Sequence, residues 1–265
     1  MRYIPRTIHL IWFGGSPFPP IVQKCVDSWK SKCPDYNIAI WNEDSFDLNS
    51  NVFVMEAARA KKWAFVSDYV RLYVLYNYGG VYIDSDVEVL KNFDELLEDE
   101  HVVTGYSNAS WIPAGFMAAE PHNVWVGELL AYYNNRHFIY EDGTYDMTVN
   151  NEIITNISER DFGFKIGDLY IKRGEVRLYP REFFHPYKRR VFDFTEDNLK
   201  NLSHFFNIDP HNTYCVHYSM GSWVTNSQSV GYKFKHLVRS ISPEFVINVL
   251  ERIYYRSGLH NWRGK

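Results

Sequence analysis

The chain has 265 residues, 46% hydrophobic, 23% charged and 17% aromatic, with a net charge of −4. That composition belongs to a folded globular protein with a substantial core. It excludes a disordered chain, and it excludes a general nucleic-acid binder, which would be basic. The length accommodates one large domain, or one domain with a small appendage. Cys25, Cys33 and Cys215 are an odd set without Cys-X-X-Cys spacing, so neither a disulfide framework nor a structural zinc site is expected. Met1 to Arg6 shows no signal-peptide pattern, and no apolar run approaches the ~20 residues of a membrane helix. A cytoplasmic protein is the expectation.

Ile8-His9-Leu10-Ile11-Trp12 reads as a buried first strand, broken by Gly14-Gly15-Ser16-Pro17. Pro19-Pro20 opens a helix, because proline is tolerated in the first turn. Ile21, Val22, Cys25, Val26 and Trp29 give that helix an apolar face. Tyr36 to Trp41 alternates as a second strand. A strand–helix–strand opening predicts an α/β nucleotide-binding arrangement with ligands outside the carboxyl ends of the strands. The chain lacks GxGxxG and Walker sequences, so a dinucleotide fold or a P-loop is not expected. Residues 52–60 read as a helix. Residues 64–78 give the clearest helix, with Val66, Val70, Tyr73 and Val74 on one stripe. Asp68 and Arg71 are three apart and neighbour each other on its surface, and Ser67 lies one turn before Arg71.

The next stretch, Tyr78-Gly79-Gly80-Val81-Tyr82-Ile83-Asp84-Ser85-Asp86, organises the rest. Gly79-Gly80 signals a turn and Val81-Tyr82-Ile83 a buried strand. Alternation in an extended segment predicts Asp84 and Asp86 on one side and Ser85 on the other. Two converging carboxylates are costly without a cation or proton between them, and a hard divalent metal fits.

Beyond it, a helix is expected over Asn92 to Glu98 with Asn92 as its cap, and a strand over His101 to Gly105. Residues 111–119 read as strand and loop around a site. Pro121 to Asn134 reads as a helix with Val124, Trp125, Leu129 and Leu130 inward, and Asp142-Gly143 as a turn. A helix starts at Asn150. Strands are expected near 169–172 and 176–179, and a late one over Tyr214 to Tyr218. From residue 231 basic and apolar residues interleave as two helices, which predicts a domain over 1–230 and a basic amphipathic tail over 231–265. Such a tail suits the anionic inner face of a membrane, each basic residue adding about 1 kcal/mol. The alternative is a packed helix pair with a solvated basic face.

Several motifs occur in one order. They are Ile4-Pro5-Arg6-Thr7-Ile8-His9-Leu10-Ile11-Trp12-Phe13-Gly14, Trp41-Asn42, Ala64-X-X-Ser67-Asp68-X-X-Arg71, the Tyr78 to Asp86 stretch, and His217 followed by Ser222-Trp223. This series resembles the family 32 glycosyltransferases, the DXD sugar-binding group of capsule and lipopolysaccharide transferases and fungal mannosyltransferases. The clostridial glucosylating toxins are more distant relatives. The resemblance runs from residue 4 to about 223 and is sharpest over 64–86.

The resemblance implies an α/β, Rossmann-like GT-A fold with a mixed central sheet and a helical carboxyl-terminal appendage. It implies a nucleotide-sugar donor, with UDP the family-weighted base, Mn²⁺ or Mg²⁺, and retention of configuration. Asp84 and Asp86 would bind the metal, with His217 a further ligand or a diphosphate contact. Asp84, Asp86 and Arg71 would be catalytic. Trp12 near the base, Ser67, Asp68, Arg71, Tyr82 and Asp84 would contact the donor, and Ser222 and Trp223 would close over its diphosphate. Where many members carry Gly-Pro before a helix, this chain has Val149-Asn150-Asn151-Glu152, which puts Asn150, Asn151 and Glu152 on the acceptor side. Glu152 or Asp146 as a nucleophile, and a front-face reaction with none, stay open. The expected function is transfer of a hexose to a glycan or lipid-linked acceptor in surface polysaccharide synthesis. A protein acceptor and a catalytically silent sugar-nucleotide binder are the alternatives.

Overall fold

The computed structural model describes residues 3–106, 111–165, 171–187 and 206–219. Ser222, Trp223 and the tail from 231 lie outside the described residues.

The elements are β1 (Thr7–Ile11), α1 (Pro20–Lys32), β2 (Asn37–Trp41), α2 (Val52–Arg59), α3 (Trp63–Tyr78), β3 (Gly80–Ile83), β4 (Val87–Val89) and α4 (Asp94–Leu97). They continue with β5 (Val102–Gly105), β6 (Phe116–Ala119), α5 (Val124–Ala131), α6 (Asn150–Phe162), β7 (Ile171–Arg173), β8 (Val176–Tyr179) and β9 (Cys215–His217). Seven strands form one sheet in the order β2-β1-β3-β6-β5-β8-β7. β1 runs parallel to β2 and β3, while β6 is antiparallel to β3 and β5, so the sheet is mixed as expected.

Alternation along the central strands divides the core into two layers. Tyr82 points into one layer, packed by α2, α3, α5 and α6; Val81 and Ile83 point into the other, with α1 and α4. The five apolar residues read onto the face of α1 are all buried. Three expectations need correction. Val124 was assigned inward on α5 and is 65% exposed; Trp125, Val126 and Leu129 are the buried face, and Val124 begins the helix on the opposite side. Asn92 does bond the Asp94 amide at 2.7 Å, but Phe93 occupies the cap position of α4. Asp84 to Asp86 is not extended, because Val87 N donates to Asp84 O at 3.0 Å and closes a turn. The late strand β9 stands apart from the main sheet. It pairs antiparallel with β4, with Val87 opposite His217, so a short ladder brings His217 back beside the acids.

The glycine pair between α3 and β3 is required by geometry. Gly79 has φ 62° and Gly80 φ 99°, and a Cβ on Gly80 would lie 2.6 Å from Thr7 O. Buried His9 secures this turn. Its Nδ1 accepts from Trp41 Nε1 at 3.0 Å and its Nε2 meets Gly79 O at 2.7 Å. An indole N–H only donates and a carbonyl only accepts, so His9 is neutral with its proton on Nε2. Burial lowers its pKa, the bond to Gly79 O partly opposing. The stability gained from neutral His9 is complete above the unfolded pKa near 6.5 and is lost as pH falls through the lower folded value. His9→Phe strands a partly buried indole N–H and a buried carbonyl, so urea unfolding at pH 7.5 is expected to show a loss of about 2–3 kcal/mol. The gap between wild type and variant narrows at pH 5.5.

Candidate active site

α3 delivers the basic part of the site and the end of β3 the acidic part. Arg71 is 7% exposed and lies over the Tyr82 ring, 4.6 Å from its centroid. Its Nη2 pairs with Asp68 Oδ1 at 2.9 Å, and its Nη1 donates to Asp84 Oδ1 at 3.0 Å and to Ala114 O at 3.2 Å. Its Nε reaches Ser67 O at 3.2 Å. The Asp68–Arg71 spacing predicted a surface pair, and the structure buries its Arg71 and half-buries its Asp68. Asp84 Oδ1 also accepts the Tyr82 hydroxyl at 2.6 Å. One oxygen of Asp84 is thus held by two protein donors, and its Oδ2 faces His217 Nε2 at 3.6 Å.

Asp86 Oδ1 lies 3.1 Å from the same His217 nitrogen. The Asp86 carbonyl accepts from Tyr218 N at 3.0 Å, and the His217 carbonyl accepts from Tyr187 Oη at 2.5 Å, so the backbone fixes both. Gly115 completes the wall: a Cβ there would fall 2.9 Å from His217 Nδ1 and 3.2 Å from Asp84 Oδ2.

Arg71 pairs with Asp68 and Asp84, and Asp86 lies beyond it against His217, so three carboxylates face one guanidinium and the cluster is net negative unless a proton or cation joins it. Burial pushes Asp68 up to about 6, with Arg71 pulling against it and Asp84 adding to it. Burial works to lower His217, yet the charge and hydrogen bond of Asp86, with Asp84, raise it above its ordinary value. One ligand atom from each of Asp84, Asp86 and His217 lies within 4.8 Å of the other two. Two carboxylates and an imidazole suit Mn²⁺ or Mg²⁺, with the rest of the shell left for phosphate and water. The donor set therefore fits a hard divalent ion.

Of the other residues singled out in the sequence, Trp12 follows β1, which neighbours β3, and its Nε1 donates to Ser16 O at 2.6 Å. The Ser67 hydroxyl bonds back to Trp63 O at 3.0 Å. Tyr82 was expected against the donor; it is 3% exposed and its hydroxyl goes to Asp84. Asn150 is buried at the start of α6, its Nδ2 donating to Asp68 O at 3.0 Å, and its Oδ1 has no partner among the described residues. Asn151 Oδ1 accepts from Ala114 N at 3.0 Å, inside the protein. Glu152 lines a cavity of about 310 Å³ with Tyr132, Thr148 and Asn156. Asp146 is 3% exposed and paired with Arg136 at 2.6 Å. Sequence reasoning missed the contributions of Ala114 and Gly115. An interrupted small-residue run was the only signal for them, and it named no partner.

Residues 19–103 match the family model described as a glycosyltransferase sugar-binding region containing a DXD motif. Inositol phosphoceramide mannosyltransferase 1 of Schizosaccharomyces pombe is 31% identical over 160 residues, 52% of this chain and 46% of its own length. The initiation-specific alpha-1,6-mannosyltransferase of Candida albicans is 28% identical over 131 residues, 46% of this chain and 34% of its own. The chain therefore spans less than half the length of these relatives. The apo glycosyltransferase GlyE of Streptococcus pneumoniae aligns over 96% of this chain and 64% of its own, at 13% identity and a TM-score of 0.46. Within 19–103 the one Asp-X-Asp is Asp84-Ser85-Asp86, so the segment similar to that family model carries the motif its description names.

Proposed function

We propose that the chain is the catalytic core of a retaining, divalent-metal-dependent glycosyltransferase of GT-A type. It moves a hexose from a nucleotide sugar, with UDP as the base, to a glycan or lipid-linked acceptor in surface polysaccharide synthesis. The observation that carries this reading is the convergence of Asp84, Asp86 and His217 beside the Arg71–Asp68 pair at the carboxyl end of β3. Mannosyltransferase relatives, one of them named for inositol phosphoceramide, favour a hexose and a lipid-bearing acceptor. No described helix is long and apolar enough to cross a membrane. Contact with a lipid-linked acceptor at the inner face would fall to the basic tail.

When bound, Mn²⁺ or Mg²⁺ supplies Lewis-acid neutralisation of the charge that grows on the departing diphosphate. Asp84, Asp86 and neutral His217 would hold it. Arg71 and Tyr82 fix the Asp84 carboxylate so that one oxygen stays turned toward His217. Asp68 is half-buried and paired with Arg71, Asn150 donates to its carbonyl, and the unpartnered Asn150 Oδ1 is buried nearby; sugar hydroxyls would donate to these two side chains. Trp12 would stack on the base, a contact of about 1–3 kcal/mol. Asp146 is held by Arg136 and is not offered to a substrate, which leaves Glu152 as the candidate nucleophile beside a front-face route with none.

A thermal-shift panel of nucleotide sugars with and without Mn²⁺ is expected to single out one donor through its stabilisation by mass action. With that donor, Asp86→Ala should cut metal-dependent hydrolysis and transfer at least about a hundredfold while the circular dichroism spectrum is retained. A fully active variant removes the metal role.

Metal binding must displace the proton that His217 shares with Asp86, and its raised pKa extends that competition above the ordinary histidine range. Calorimetric Mn²⁺ titration should therefore show tighter binding and less proton release at pH 8 than at pH 6. Tyr82→Phe deletes the donor to Asp84 Oδ1 and should weaken Mn²⁺ binding about tenfold in the same titration. Unchanged affinity would assign Tyr82 to packing alone.

A further inference from the structure

Residues 112–115 form a strap between α6 and the acidic turn. Its two amides face the helix: Ile112 N donates to Thr155 Oγ1 at 3.0 Å and Ala114 N to Asn151 Oδ1 at 3.0 Å. Pro113 between them has no N–H to place. Thr155 Oγ1 in turn donates to Asn151 O at 2.6 Å, so both acceptors are locked to one turn of helix. The strap's carbonyls serve the site. Ala114 O accepts from Arg71 Nη1 at 3.2 Å, and Gly115 O accepts from Asp84 N at 3.0 Å, continuing the β3–β6 ladder past Ile83 and Phe116. Gly115 also sits where any Cβ would press on His217 and Asp84. The strap's position therefore sets both the height of Asp84 and the room between Asp84 and His217.

We propose that Asn151 is a positioning residue for the Asp84–Asp86–His217 triad, acting through Ala114 and Gly115 rather than by touching an acceptor. Its amide oxygen holds the strap against α6; the strap holds Arg71 and the Asp84 backbone. The same helix turn carries Asn150 against Asp68, so one rigid element fixes the sugar side and the metal side relative to each other. Metal-site residues depend on such supports for orientation, and losing one typically weakens metal binding about 10–100-fold. The metal part of this inference rests on the glycosyltransferase reading; the strap itself does not.

The test compares wild type, Asn151→Ala, Asn151→Asp and Gly115→Ala. Amide hydrogen exchange at Ala114 and Asp84 is read by NMR, and the Mn²⁺ dissociation constant by calorimetry. Asn151→Ala should speed exchange at both amides and weaken Mn²⁺ at least about tenfold. Asn151→Asp keeps an oxygen in reach of Ala114 N, and its charge is tolerated at a helix N-terminus, so it should restore both readouts. Gly115→Ala leaves Asn151 in place and should weaken Mn²⁺ while Ala114 exchange stays as in wild type; it carries the test if Asn151→Ala fails to fold. Unchanged exchange at Asp84 in Asn151→Ala, or Mn²⁺ affinity unaltered in Gly115→Ala, overturns the proposal. Absence of Mn²⁺ binding in every protein, wild type included, overturns the metal reading, while exchange at Asp84 still decides the strap.

Discussion

The site is built around a buried guanidinium. Arg71 lies almost out of solvent, and an unpaired charge there would be strongly destabilising. Its partners come from three separate elements: Asp68 from its own helix, Asp84 from the end of β3, and Ala114 from the strap before β6. Satisfying one side chain therefore fixes three pieces of chain. The planar fork suits this use, since its donors point in set directions and a lysine offers only a point charge. The Tyr82 ring beneath it adds a cation–π contact and a hydroxyl for the same Asp84 oxygen.

One guanidinium does not balance three carboxylates. The surplus negative charge raises the pKa of His217 against the effect of its burial. The pair of acids at the turn is thus served by a proton on His217 or by a metal held between the same groups. A proton on His217 answers that charge at low pH; on the proposed reading a divalent cation would take its place. The protein's own donors fall short of neutralising these acids, which is what the proposed divalent ion would supply.

Much of this was legible along the chain. The stripes of α1 and α3 were read from spacing, because a helix that covers a sheet must repeat its apolar residues every three to four positions. The strand before Asp84 was read from a short apolar run between glycines and acids. Val124 was misread because it stands at a helix start, where several faces fit the spacing and only packing against α3 and α6 selects one. The Asp84–Asp86 alternation failed because a turn bond to Val87 ends the extended geometry at Ile83. The two carboxylates still converge, by a bend in the backbone and not by a pleat.

The sequence by itself determined which residues carry charge near the end of β3, the glycine pair that lets the chain reverse before it, and the helix that presents Asp68 and Arg71. These follow from periodicity and local backbone freedom, which act over a few residues. Only the tertiary structure decided that Arg71 is buried, that β9 returns His217 through a ladder with β4, and that Asn151 holds a strap. Each of those depends on contacts between residues dozens to more than a hundred positions apart. Hydrogen bonds and burial at that separation leave no periodic trace, because the chain between the partners is free to vary in length and composition.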